Sequence, residues 1–192
     1  MKKRQKVMSE PPSRPAGRPR SDASRAALLD AAYWQTIDRG YAATSAETIA
    51  RAAGAGKQTL YRWWPSKGAL VLEAMQTKMR ERIDRPRETA MRSGDLEKFL
   101  IADLAQLRGF ADALGGLIAE GRSDEKLMRL VRDQWLAQRA ADLYAVLSAG
   151  GAELRRRDVL VEAIESVILA RVVFGKPLDE ELARTLSHLL VR

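Results

Sequence analysis

Between Lys57 and Lys67 the chain gathers hydrogen-bond donors of several kinds: Lys57, Gln58, Thr59, Tyr61, Arg62, Trp63 and Lys67. Ammonium and guanidinium groups neutralise phosphate, and a glutamine amide can bond adenine through N6 and N7. A threonine methyl can pack on the thymine methyl, or its hydroxyl can bond a phosphate. The Tyr61 hydroxyl and the Trp63 indole each keep one donor. Such a set suits a polyanion whose bases are also read. Each member has a plainer reading: Lys57 and Arg62 as solvated cations, Gln58 pointing to water, Tyr61 half-buried with its hydroxyl in water.

No comparable set serves catalysis. The only histidine, His188, lies in the last apolar stretch, far from any nucleophile. Gly-x-Ser-x-Gly, Walker, His-Glu-x-x-His and dinucleotide glycine fingerprints are absent. The carboxylate groups Glu162/Glu165 and Asp179/Glu180/Glu181 read as solvated helix faces. The expectation is a protein that is not an enzyme and needs neither cofactor nor metal.

Two short helices must position the donors. The first spans about Ala46–Ala53, with Ile49, Ala50 and Ala53 on one apolar stripe. Thr44 or Ser45 stands at its N-cap, with Glu47 or Thr48 three residues on. Thr44 can also donate to a phosphate. Gly54-Ala55-Gly56 then turns the chain. The second helix, about Lys57–Trp64, points Leu60 and Trp64 inward at i, i+4; Pro65 stops it and Ser66 caps the next. These are the dimensions of a helix-turn-helix, whose second helix enters the major groove. Lys67 begins the following helix, where exposed N–H groups already favour a phosphate.

Charge separates the two ends. Residues 1–67 hold thirteen Lys/Arg against five Asp/Glu, whereas residues 68–192 hold twenty of each, so the whole net charge of +8 sits on the N-terminal third. That is the footprint of a polyanion-binding end. Residues 1–21 read as a disordered basic arm rich in proline, with Arg18 and Arg20 able to lie along the minor groove or backbone. A flexible leader with incidental charge is the bland alternative. The absence of cysteine suits a reducing cytoplasm. No apolar run is long enough to span a membrane.

The remaining chain reads as helices: Asp22–Arg39 ending at Gly40, with Leu28, Leu29, Ala32, Tyr33 and Ile37 inward; Ser66–Ile83; about Asp95–Ala113; a short Leu114–Gly121; a long rod to Ala149; Arg156–Val173; and Leu178–Val191. The fold class is all-α, about nine helices. A three-helix DNA-binding unit at 22–67 precedes a helical unit at 68–192.

AGAGKQTLYRWWPSKGAL, with Leu28-Leu29-Asp30-Ala31-Ala32, Gly40-Tyr41 and Thr44 upstream, resembles the DNA-binding domain of TetR/AcrR-family transcriptional regulators over about residues 25–75. Two departures stand out. Gln35 and Thr36 occupy positions where the family usually has apolar core, and Gly56 replaces a common serine. The resemblance implies phosphate contacts from Tyr61, and from Trp63 where the family often has histidine.

It implies a homodimer on a palindromic operator, formed through the last two helices as a four-helix bundle. Ile168, Arg171, Val172, Phe174, Leu178, Leu182, Thr185, Leu186 and Leu189 are the interface candidates, with a purely internal apolar face as the alternative. It also implies a repressor released by a small-molecule effector held in the helical unit. Met75, Met79, Phe99, Leu104, Leu107, Phe110, Met128, Trp135 and Tyr144 can line an apolar cavity there, or form an ordinary closed core. A neutral or hydrophobic effector follows from that lining. The alternative function is a helical adaptor or nucleoid-type protein that coats DNA without sequence selectivity.

Overall fold

The computed structural model describes residues 18–81 and 84–190, and every regular element in them is helical. Helix α1 (Arg18–Arg39) starts earlier than Asp22. Pro19 lies in its first turn, where a missing N–H leaves nothing unpaired. The part of the expected arm at 18–21 is therefore helical at its start. Residues 1–17, and the side chains of Arg18 and Arg20, lie outside the described residues.

Helix α1 buries Leu28, Leu29, Ala32 and Tyr33, but Ile37 is exposed and Thr36 is buried in its place. Gln35 donates to Thr48 O at 2.8 Å and so ties α1 to α2 (Ala46–Ala52). Trp34 is 56% exposed and meets Tyr33 edge to face.

The N-cap of α2 is Ser45, whose hydroxyl accepts from Thr48 N while Thr48 Oγ1 accepts from Ser45 N, a reciprocal box. Gly54, at φ +61°, closes the helix: its N–H reaches Arg51 O and that of Ala55 reaches Ala50 O. Helix α3 (Lys57–Trp63) follows. Leu60 and Trp64 turn inward as expected, and the Trp64 indole donates to Glu73 on α4 (Lys67–Glu81) at 2.6 Å.

Helix α5 (Arg85–Ser93) has no counterpart in the sequence reading, which leaves residues 84–94 between two helices. Asp84 instead caps it by accepting from Arg87 N, and Pro86 sits in its first turn. Helices α6 (Leu96–Arg108) and α7 (Ala111–Gly121) part at Gly109-Phe110. The expected break between Ala113 and Leu114 does not occur, and α7 runs through Gly115-Gly116. Position 116 takes glycine because a Cβ there would run into the Tyr41 ring.

Helix α8 (Glu125–Leu130) continues through a π turn at Val131–Leu136 into α9 (Ala137–Ala149), the long rod expected there. Then come α10 (Leu154–Val173) and α11 (Glu180–Leu190). Eleven α-helical segments thus stand among the described residues against about nine expected.

Helix α4 packs on α1 on one side and on α7 and α8 on the other, so one apolar core runs from Leu28 to Leu186. Helices α5 and α6 pack together, α6 carries α11, and α10 lies against α7 and α9. No helix among the described residues is long and apolar enough to cross a membrane.

Candidate nucleic-acid interface

With Leu60 and Trp64 anchored, the opposite side of α3 stands free. Lys57, Gln58, Tyr61, Arg62 and Trp63 are exposed, and Thr59 is half-buried. The face carries donors and no acid of its own. Two neighbours shape it. Glu47, in the first turn of α2, pairs with Lys57 at 2.8 Å. The pair holds the Glu47 carboxyl below the usual carboxylate range and the Lys57 ammonium above its own. Arg25 of α1 pairs with Glu73, with its guanidinium 5.8 Å from the Trp63 ring centroid and 5.4 Å from that of Trp64. Arg62 also lies 5.8 Å from the Trp63 ring centroid. Two guanidinium groups thus stand within cation–π reach of Trp63 at the end of α3.

Two expected contacts are corrected. Thr44 is buried, with its hydroxyl donating to Gly40 O at 2.9 Å, and the cap it was a candidate for belongs to Ser45. Lys67 turns away from the free face of α3. Its ammonium lies 3.4 Å from Glu120 of α7, donates to Tyr41 O and sits 3.7 Å from the Tyr41 ring centroid. Lys67 therefore fastens the head to the body. Sequence reading missed Arg25 and Glu47; an acid and a base flanking the glycine turn were the available signal for Glu47.

The interface candidates on α10 and α11 divide. Ile168, Val172, Leu178, Leu182 and Leu186 are buried within the protomer, where α11 packs on α6 and Val172 lies against Gly115. Arg171 donates to Pro177 O and holds the turn between the two helices. Phe174, Thr185 and Leu189 remain exposed. With Val159, Val167 and Val173, which sequence reading did not include, Phe174 and Leu189 leave an outward apolar stripe.

The cavity candidates are corrected more sharply. Met75, Phe99, Leu104, Leu107 and Phe110 are closed core. Met128 packs on Gly121, and Tyr144 donates to Asp158. Of the nine, only Met79 and Trp135 line a 440 Å³ cavity between α4, α5, α6 and the rod. Its other walls are polar: Gln76, Arg80, Asp84, Arg87, Glu88, Asp103, Gln106, Gln134, Gln138, Arg139 and Asp142.

Behind it lies an ionic cluster. Buried Arg139 stands 2.8 Å from Asp103 and 3.2 Å from Glu165, and Arg87 bridges Asp103 at 3.1 Å and Asp142 at 2.8 Å. The Arg139 Nη1 contact to Asp103 lies off the hydrogen-bonding direction, so it is an ion pair rather than an aligned bond. Burial opposes the charge on both arginines, but the carboxylates outweigh it and hold both guanidinium groups firmly protonated. Burial pushes the Glu165 carboxyl up, against the pull of Arg139. Glu165 is therefore a buried partner, not the solvated acid expected.

The comparisons agree with this geometry. The family described as bacterial regulatory proteins, tetR family, matches residues 28–74, which hold the second half of α1, α2, α3 and the first half of α4. The chain is 30% identical over 171 residues to the DNA-binding transcriptional repressor TetR of Mycobacteroides abscessus, covering 84% of this chain and 88% of that protein. It is 26% identical over 181 residues to the uncharacterized HTH-type transcriptional regulator YdeS of Bacillus subtilis, covering 88% and 89%. Among solved structures, TetR family transcription regulator SCO0332 superposes with a TM-score of 0.63 at 27% identity, over 88% of this chain and 97% of that one. These relatives are named as transcriptional regulators, not enzymes, and the chain belongs to the TetR family of DNA-binding transcriptional regulators.

Proposed function

We propose that this regulator is a repressor that binds a palindromic operator as a homodimer and leaves it when a small molecule occupies the body. The observation that carries the reading is the pairing of two free surfaces. The exposed donor face of α3 is too short to select a site alone, and the apolar stripe of Val159, Val167, Val173, Phe174 and Leu189 is left without cover on α10 and α11. Two-fold pairing through that stripe doubles the bases read and covers the apolar surface. Half-sites then lie about 34–36 Å apart. The repressor role is supported by the similarity to the Mycobacteroides abscessus repressor.

Release follows by linkage. Helix α4 carries the head at its start and lines the cavity with Gln76, Met79 and Arg80 further along. A ligand that prefers a shifted α4 lowers operator affinity by the factor by which operator lowers ligand affinity, and a coupling of about 1–3 kcal/mol gives a 5- to 150-fold switch. The test is selection of bound sequences from random duplex DNA with the purified full chain. A palindromic motif supports the reading. Equal affinity for all duplexes refutes it in favour of non-selective coating.

A further inference from the structure

Polar side chains supply most of the lining of the cavity between α4, α5, α6 and the rod, with carbon surface from their stems and from Met79 and Trp135 between the polar groups. Its charges largely answer one another: Arg87 is taken by Asp103 and Asp142, and Arg139 by Asp103 and Glu165. What remains for a ligand is Arg80, Asp84 and Glu88 at the walls, together with a set of neutral hydrogen-bonding groups. Among the described residues, the side-chain amides of Gln76, Gln106 and Gln134 have no partner, Gln138 spends one N–H on Asp142, and the buried indole N–H of Trp135 has no acceptor. A side chain that is 3% exposed seldom leaves its one donor empty. Trp135 also sits in the π turn, and such turns concentrate at binding sites. The volume falls within the range of small-molecule pockets.

We infer that this cavity binds a neutral, hydroxyl-rich small molecule of the sugar or polyol class, with a ligand oxygen accepting from Trp135 Nε1 and ligand hydroxyls bridging the glutamine amides and Asp142. The inference rests on the effector reading above and specifies its ligand. A hydrocarbon-like effector would strip water from the glutamine amides and return no hydrogen bonds, which disfavours it. An anionic effector would face Asp84, Glu88, Asp103 and Asp142 with Arg80 as the one lining cation outside the ion pairs. Hydroxyls can donate to the carboxylates and accept from the amides and the indole, so they match both sets of wall groups.

Calorimetric titration of the full chain with D-glucose, D-ribose and myo-inositol tests this, with decanoate and tetraphenylphosphonium as apolar anionic and cationic probes, all at low millimolar concentration. Binding of at least one of the neutral probes is expected, weakened about five- to tenfold by Trp135→Phe, which keeps a ring and removes the donor. Gln76→Leu, at a less enclosed wall, should weaken it as well. It decides the matter alone if the Trp135 variant does not fold by far-ultraviolet dichroism. Binding of only the apolar probes, binding of none, or polyol binding indifferent to these substitutions overturns the assignment. Operator release is read separately. A polyol that binds here without changing operator affinity leaves the ligand class standing and refutes the effector reading. An apolar probe that binds and releases operator does the reverse.

Discussion

The phenol of Tyr41 donates to Glu120 at 2.8 Å while its backbone N–H donates to Asp112 of the same helix at the same distance. One residue in the turn after α1 thus holds α7 at two points. Lys67 closes the cluster by reaching both Glu120 and the Tyr41 carbonyl. The DNA-binding head and the body meet here in polar bonds that fix an orientation, and Gly116 lets the ring lie flat on α7.

Removing the hydroxyl should loosen that joint. Tyr41→Phe is expected to cost about 1 kcal/mol in urea unfolding, and Gly116→Ala should cost more because the added methyl displaces a pinned ring. Burial first, and Glu120 second, push the Tyr41 pKa above the ordinary tyrosine range. A raised folded pKa means the stabilisation is complete below about pH 10, the unfolded value, and is lost as pH climbs beyond it. Wild type should therefore lose stability relative to the Phe variant above about pH 10, which paired melting curves would read. Parallel curves across that range would contradict the burial of the phenol.

Glu47 restrains Lys57. Glu47→Gln should free the ammonium for phosphate and raise affinity for random duplex, while Lys57→Ala should lower affinity for every sequence and reduce the salt slope by about 1. With about six phosphates neutralised per dimer, wild-type affinity should drop roughly a thousandfold between 50 and 200 mM salt. Fluorescence anisotropy across a salt series checks all three.

Gln58 is the best-placed reader of a base on the free face of α3, being exposed and unpaired in the first turn. Gln58→Ala should relax one position in each half-site, at about 1–3 kcal/mol of discrimination. Competition with single-base operator variants would show it. An unchanged preference at every position would assign Gln58 to solvent.

The two classes of residue on α10 and α11 should fail differently. Phe174→Glu with Leu189→Glu places charge on the exposed stripe and should give folded monomers by light scattering, with weakened operator binding. Leu182→Glu places charge in the protomer's own core and should unfold the chain instead.

Asp103 neutralises two arginines at once. Asp103→Ala should cost about 3–5 kcal/mol, because it leaves buried cations without their shared partner. Pairing it with Arg139→Met should recover part of the loss in chemical denaturation, since the more deeply buried of the two stranded cations is removed, and only part because Glu165 then loses its own partner. A double variant no more stable than Asp103→Ala would refute the coupling.

Local signals were legible in the chain itself. The Gly54 turn, Leu60 and Trp64 at i, i+4, and the stop at Pro65 dictate the head through short-range geometry, which sequence displays directly. The donor face of α3 follows as the side opposite those anchors. What depended on tertiary structure was the fate of side chains that two elements compete for. Lys67 has the type of a phosphate contact, but α7 brings Glu120 beside it. Leu182 and Leu186 have the pattern of an interface, but α6 covers them first. Asp103 and Arg139 lie far apart in sequence, so only packing reveals that they pair and that the cavity in front of them is polar. Periodicity tells which face of a helix is apolar; which neighbour buries it is set by the arrangement of all the helices together.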